Sequence, residues 1–251
     1  MKDNKYELGI VSVSFRRHEP REILEAMRNA GLTCIEWGSD VHAPYNDVEK
    51  LQSLVKLQDE YGITCSSYGT YFYLGRDSVA ELSGYINAAK ILGTNILRLW
   101  CGNKCAQVMS EPEKAAFLNE CREAAAIAEK NGAILCMECH PHSFTKRVED
   151  ALMLMREINS PSFRMYWQPS NLDPKEQNLA YAEAIAPFTY HIHASLMRGD
   201  QRVSLHEGID EWKEYLSKFS TPRTLLLEFM PDHQITTLPR EADALKIIAD
   251  Q

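Results

Sequence analysis

The stretch 111–140, EPEKAAFLNECREAAAIAEKNGAILCMECH, reads as one complete structural unit. Apolar residues recur at helical spacing through 130, Gly132 stands where a helix commonly ends on a left-handed residue, and an apolar run opens at Ile134. That run closes on two ionisable side chains, Glu138 and His140. The same order repeats outward in both directions. Strands are predicted over 9–14, 33–37, 64–68, 96–101, 134–140, 163–168, 190–195 and 224–229, and helices over 22–29, 47–61, 79–92, 111–130, 148–158, 180–186, 210–219 and 240–249. Gly31, Gly62 and Gly93 repeat the helix stop seen at Gly132. Eight strand–helix pairs spaced about an eighth of 251 residues apart predict an α/β chain, a single (β/α)8 TIM barrel over 1–251. A doubly wound open sheet would need a reversal of strand order that the sequence does not announce.

Composition agrees with a soluble enzyme-sized core: 45% of the residues are hydrophobic and 25% charged. The net charge of −8 comes from 27 Lys+Arg against 35 Asp+Glu, without a dense basic cluster, so no nucleic-acid partner is expected. No apolar run approaches the ~18 residues that span a bilayer, and the start Met1-Lys2-Asp3-Asn4-Lys5 is polar. No membrane partner and a cytoplasmic location follow as expectations. Seven cysteines, an odd number, suit reduced and mostly buried thiols. Cys136 and Cys139 have opposite parity on a strand, so they point to opposite faces and make no metal or redox pair.

Barrel chemistry belongs at the C-terminal strand ends. The fifth strand ends at Glu138, the sixth at Gln168, the seventh at His193, and the eighth runs through three leucines to Glu228. Each alone is an ordinary rim residue satisfied by hydrogen bonds or water; four on consecutive strands point to one site. Two carboxylates, an imidazole and an amide oxygen suit one divalent cation, and a Glu228 buried without such a partner would be costly. His42, His140 and His142 are expected in loops at the same face. Trp100 and Trp167, near strand ends, either wall a bound ligand or close the barrel top. Glu36 ends the second strand and is a candidate substrate contact. His191 shares a face with His193 one layer deeper, where a hydrogen-bonded core histidine is expected.

On these residues the chain resembles the xylose isomerase-like TIM barrels, a group of sugar and sugar-phosphate isomerases and epimerases that includes inosose dehydratases and endonuclease IV. Glu138, Gln168, His193 and Glu228, separated by 30, 25 and 35 residues, fall where the family's epimerases place Glu, Asp, His and Glu around one metal. Met137-Glu-Cys-His140 followed by Val148-Glu-Asp-Ala151, His206-Glu-Gly-Ile-Asp-Glu-Trp212 and Ile35-Glu36-Trp37-Gly38 resemble further family segments. Gln168 departs from the usual Asp and brings no charge. Asn171 stands where many epimerases carry His, and Phe144 where some ketose epimerases are polar.

The resemblance implies a metal-dependent isomerase or epimerase of a small ketose or sugar phosphate, acting through an ene-diolate. Glu138 and Glu228 would move the proton on opposite faces, and Arg198 would reach a substrate hydroxyl or phosphate. The metal would be Mn²⁺ or Mg²⁺ ahead of Co²⁺ or Zn²⁺. An inosose-type dehydratase on the same site, or a sugar-binding barrel without catalysis, are the alternatives, the second kept alive by Gln168. A DNA-repair endonuclease would need more His/Asp ligands and a basic face. The partner expected is a small carbohydrate, with a homo-oligomer left open.

Overall fold

The computed structural model describes residues 6–221 and 223–250; the polar start at 1–5 lies outside them. Eight parallel strands alternate with eight helices. The strands are β1 (Glu7–Val11), β2 (Cys34–Gly38), β3 (Thr64–Tyr73), β4 (Ile96–Trp100), β5 (Ile134–Glu138), β6 (Phe163–Trp167), β7 (Thr189–Ala194) and β8 (Thr224–Leu227). The helices are α1 (Pro20–Ala30), α2 (Val48–Tyr61), α3 (Leu82–Leu92), α4 (Glu111–Asn131), α5 (Val148–Ile158), α6 (Lys175–Ile185), α7 (Ile209–Leu216) and α8 (Leu238–Ala249). Each strand pairs with its sequence neighbours, and β8 closes on β1, so the sheet is a closed barrel and not an open one.

Local chemistry explains the element ends. Helix α4 starts on a capping box, with Ser110 accepting from the Glu113 N–H and the Glu113 carboxylate accepting from the Ser110 N–H. It stops at Gly132, whose φ of 66° lies in the left-handed region, and the chain turns directly into β5. The three other predicted glycine stops hold the same conformation.

The sequence reading misses details at strand ends. The chain after β1 coils into a 3-10 turn (Ser12–Phe15), β3 runs on to Tyr73, and β8 ends at Leu227, one residue before Glu228. A two-stranded antiparallel ribbon, Met197–Arg198 with Gln201–Arg202, forms in what reads as a loop.

Two apolar layers result. The barrel interior packs Val11, Val13, Cys34, Cys136, Tyr166 and Leu226. The outer layer, between sheet and helices, takes the larger share, Cys139 among it, so Cys136 and Cys139 do face opposite sides. All seven cysteines are free thiols. Among the described residues no helix is long and apolar enough to cross a membrane.

An alanine at Gly132 meets no atom within 4 Å, so its cost is backbone conformation alone. Gly132→Ala is expected to lower stability by about 1 kcal/mol in urea unfolding, with divalent-metal binding unchanged.

Candidate metal centre

Six polar side chains meet inside the C-terminal end of the barrel. Glu36 comes from β2, Arg98 from β4, Glu138 from β5 and His193 from β7, while Gln168 and Glu228 lie just beyond β6 and β8. In the β5 run Ile134-Leu-Cys-Met-Glu138, alternation sends Cys136 and Glu138 inward and Leu135 and Met137 out to the helices. The same alternation in β4 sends Arg98 inward. Thr145 ties the end of β5 by donating its hydroxyl to the Glu138 carbonyl at 2.7 Å. The Glu228 N–H donates to the Ala194 carbonyl at 2.9 Å, holding that residue against β7 after the ladder ends.

Oxygen and nitrogen atoms of Glu138, His193 and Glu228 lie within 4.8 Å of one another. His193 Nδ1 is 3.5 Å from Glu138 Oε1 and 3.7 Å from Glu228 Oε1, and its Nε2 is 3.5 Å from Glu36 Oε1. These spacings are long for hydrogen bonds. Glu138 Oε2 and both His193 nitrogens are buried without a hydrogen-bond partner among the described residues. Orphaned donor atoms at such spacing fit ligands arranged about a shared cation, and a Glu, Glu, His set suits a divalent metal. Glu36 then stands behind His193, on the ring nitrogen turned away from Glu138 and Glu228. A carboxylate in that position orients a ligating imidazole.

Glu36 is completely enclosed. Its Oε2 accepts from Ser67 at 2.9 Å and from the Tyr166 hydroxyl at 2.7 Å, and its Oε1 is 3.6 Å from Arg98 Nε. Arg98, also buried, places Nη1 3.4 Å from Glu138 Oε2 and donates from it to the Thr70 carbonyl at 3.0 Å. Gly69 leaves the room: a Cβ there would come within 2.5 Å of Glu36 Oε1.

Charge follows position. Burial raises the pKa of Glu36 and Glu138, but the positive neighbours outweigh it and hold both carboxyls below the usual range, His193 and Arg98 at Glu36, Arg98 first at Glu138. Burial lifts Glu228 above that range, and the charges of Glu138 and Glu36 add to the rise. Burial disfavours a charged Arg98 and a charged His193. Glu138 and Glu36 nonetheless keep Arg98 cationic, and the carboxylates, Glu228 and Glu36 first, push His193 up to about 10.

Several expected residues do not face the open site as read. Gln168 touches it by donating Nε2 to Glu138 Oε1 at 3.2 Å and to the Cys139 carbonyl at 3.0 Å, so its amide must turn over to offer an oxygen. Arg198 is exposed and tied to Glu211 on α7 at 2.8 Å. Trp167 lies in the outer core against Trp212, Tyr215 and Phe219 and walls no site. His42 is buried between Ser12 Oγ at 3.1 Å and the His18 carbonyl at 3.2 Å. His191 Nε2 donates to the Ser66 carbonyl at 3.1 Å, the core histidine expected. Trp100 and His140 do stand together at the mouth, ring centroids 4.3 Å apart, with Tyr73 stacked behind Trp100 at 5.1 Å. Arg98 is the residue the sequence reading overlooks. Its signal was a lone cation in the apolar run Ile96-Leu-Arg98-Leu-Trp100, with inward parity.

A family profile described as xylose isomerase-like TIM barrel matches residues 24–249. Among solved structures the chain is similar to the probable 3-DHS dehydratase AsbF of Bacillus anthracis, with 17% identity, 96% of this chain and 98% of that chain covered, and a TM-score of 0.78. It is also similar to the IOLI protein with a binding zinc atom, at 16% identity over 96% of each chain and a TM-score of 0.76. A third is D-psicose 3-epimerase with D-tagatose from Clostridium cellulolyticum H10, at 13% identity over 95% of this chain and 96% of that chain, TM-score 0.69. Comparison with curated protein sequences finds no match. Identities this low carry the fold alone.

Two outcomes test the centre. Because His193 holds a proton without metal and must shed it to ligate, metal binding is expected to release at least one proton. Apparent Mn²⁺ affinity should then rise roughly tenfold per pH unit between pH 6 and 9; calorimetry in two buffers of different ionisation heat reads the release, and a pH-independent affinity contradicts it. Separately, Arg98→Met leaves buried carboxylates uncompensated and is expected to cost about 3–5 kcal/mol. Thermal unfolding should show part of that loss restored by Mn²⁺.

Proposed function

The chain belongs to the xylose isomerase-like TIM-barrel family, and from that premise we propose that it is a divalent-metal-dependent isomerase or epimerase acting on a small ketose or a ketose derivative. The observation that carries this reading is the meeting of Glu138, His193 and Glu228 within 4.8 Å at the barrel mouth, with donor atoms left unpaired. Structures of the same fold are named as an epimerase with D-tagatose and as a protein with a binding zinc atom, so the fold accommodates such chemistry. Glu138, His193 and Glu228 would hold the metal, with Gln168 beside them. When bound, such an ion supplies Lewis-acid polarisation of a carbonyl and its neighbouring hydroxyl, acidifying the C–H between them.

The chain's own groups then do the proton work. The pair Glu138 and Glu228 is chemically unequal before an ion binds: Arg98 holds Glu138 ionised, while burial and neighbouring carboxylates raise Glu228. Two such groups on opposite sides of a substrate suit removal of a proton on one face and its return on the other. Trp100 and His140, meeting edge to face, narrow the mouth, and the indole supplies apolar surface against which a sugar ring packs.

The test is deuterium exchange. Metal-loaded protein incubated in D₂O with a panel of ketoses and ketose phosphates is expected to place deuterium on a substrate carbon, read by NMR. Glu228→Gln, with metal occupancy measured in parallel, should lower that rate by at least ~10². Exchange at the wild-type rate in this variant would overturn the two-carboxylate mechanism, and tight sugar binding with no exchange in the wild type would make the protein a binder.

A further inference from the structure

Beyond the C-terminal ends of β1 and β8 lies a cavity of about 540 Å³, its wall formed by Ser14, Arg16, Arg17, Arg202, Phe229 and His233 with their neighbours. Three guanidinium groups line it and no carboxylate does, in a chain whose net charge is −8. Only one of the three is neutralised there: Arg16 pairs with Asp40 and donates to the Tyr71 hydroxyl. Arg17 is exposed and makes no ion pair among the described residues. Arg202, half-buried, makes no ion pair within 4 Å among the described residues; its guanidinium lies over the Phe229 ring at 4.5 Å, and its Nε has no hydrogen-bond partner there.

Phe229 of the cavity wall follows Glu228 directly in the chain. Phe229 holds a φ of 61°, a left-handed conformation unfavourable for a non-glycine residue. Its N–H donates to Ser14 Oγ at 2.8 Å, which secures the turn that seats the ring under Arg202. Burial depresses the Arg202 pKa, while the charge of Glu228 opposes that shift, so the two groups feel one another. The ribbon sets the choice of arginine. Arg202 lies cross-strand from Met197, and Arg198 from Gln201, so the two arginines face opposite sides.

We propose that this cavity is an oxyanion subsite, in which Arg202 and Arg17 hold a phosphate or carboxylate group of the substrate while its reacting carbons lie at Glu138 and Glu228. The orientation of the substrate rests on the function proposed above; anion binding in the cavity does not. Unpaired guanidinium groups on a concave, partly desolvated wall give bidentate donors matched to either group, and the positive lining offsets the acidic surface that would otherwise repel it.

The test uses the full chain with and without Mg²⁺, following arginine Nε–Hε NMR signals during titration with inorganic phosphate and, separately, with acetate. Saturable shifts of the Arg202 and Arg17 signals are expected with at least one ion, phosphate alone marking a phosphate ester and acetate a carboxylate. Arg202→Gln should weaken the dissociation constant at least tenfold, and Arg202→Lys should recover most of it. His193→Ala, which removes a metal ligand, should leave ion binding within twofold, so loss of the metal reading and loss of this one are told apart. No saturable shift with either ion, or equal binding in Arg202→Gln and wild type, overturns the proposal.

Discussion

Arg98 is the interaction on which the centre depends. Three carboxylates, Glu36, Glu138 and Glu228, are gathered where water is largely excluded, and one guanidinium between two of them is the permanent positive charge placed among them. Desolvating a charge costs several kcal/mol even after relaxation, so such a group persists only when its neighbours compensate it. One guanidinium against three carboxylates leaves a deficit of two charges, which a divalent cation beside a neutral His193 would remove. Without the ion, protonation of His193 supplies one of the two and protonation of Glu228 the other. Gln168 fits this count. An Asp in its place would add a fourth carboxylate to a cluster that Arg98 and one divalent ion would already balance.

The rest of the barrel serves that charge cluster. Gly69 yields the space that Glu36 and Arg98 fill, and Tyr166 reaches across from β6 to bond both Ser67 and Glu36, at 2.6 and 2.7 Å. Beneath, the small interior layer of Val11, Cys34, Cys136 and Leu226 forms an apolar floor. The outer layer of large side chains fixes strand against helix and keeps these inward positions rigid.

The barrel was legible because its signals are local: period, capping residues and glycine stops at Gly31, Gly62, Gly93 and Gly132 act within a few residues. Glu138, His193 and Glu228 were legible because an ionisable group closing an apolar run has little reason to be there unless engaged. Glu36 was visible as a residue, but its place behind His193 depends on the closure of β2 against strands far along the chain. Arg98 was hidden in mid-strand, where only parity marks it as inward. Arg198 was singled out and Arg202 passed over in a segment read as loop, because the ribbon turned at Gly199, which puts the two on opposite sides, was not read from the sequence.

The most direct measurement of the account is anomalous diffraction from crystals soaked in Mn²⁺. One peak is predicted, bounded by the carboxylates of Glu138 and Glu228 and by His193 Nδ1, with Glu36 on the other ring nitrogen. A fully soaked crystal with no peak there, or with its peak at another site, would contradict it.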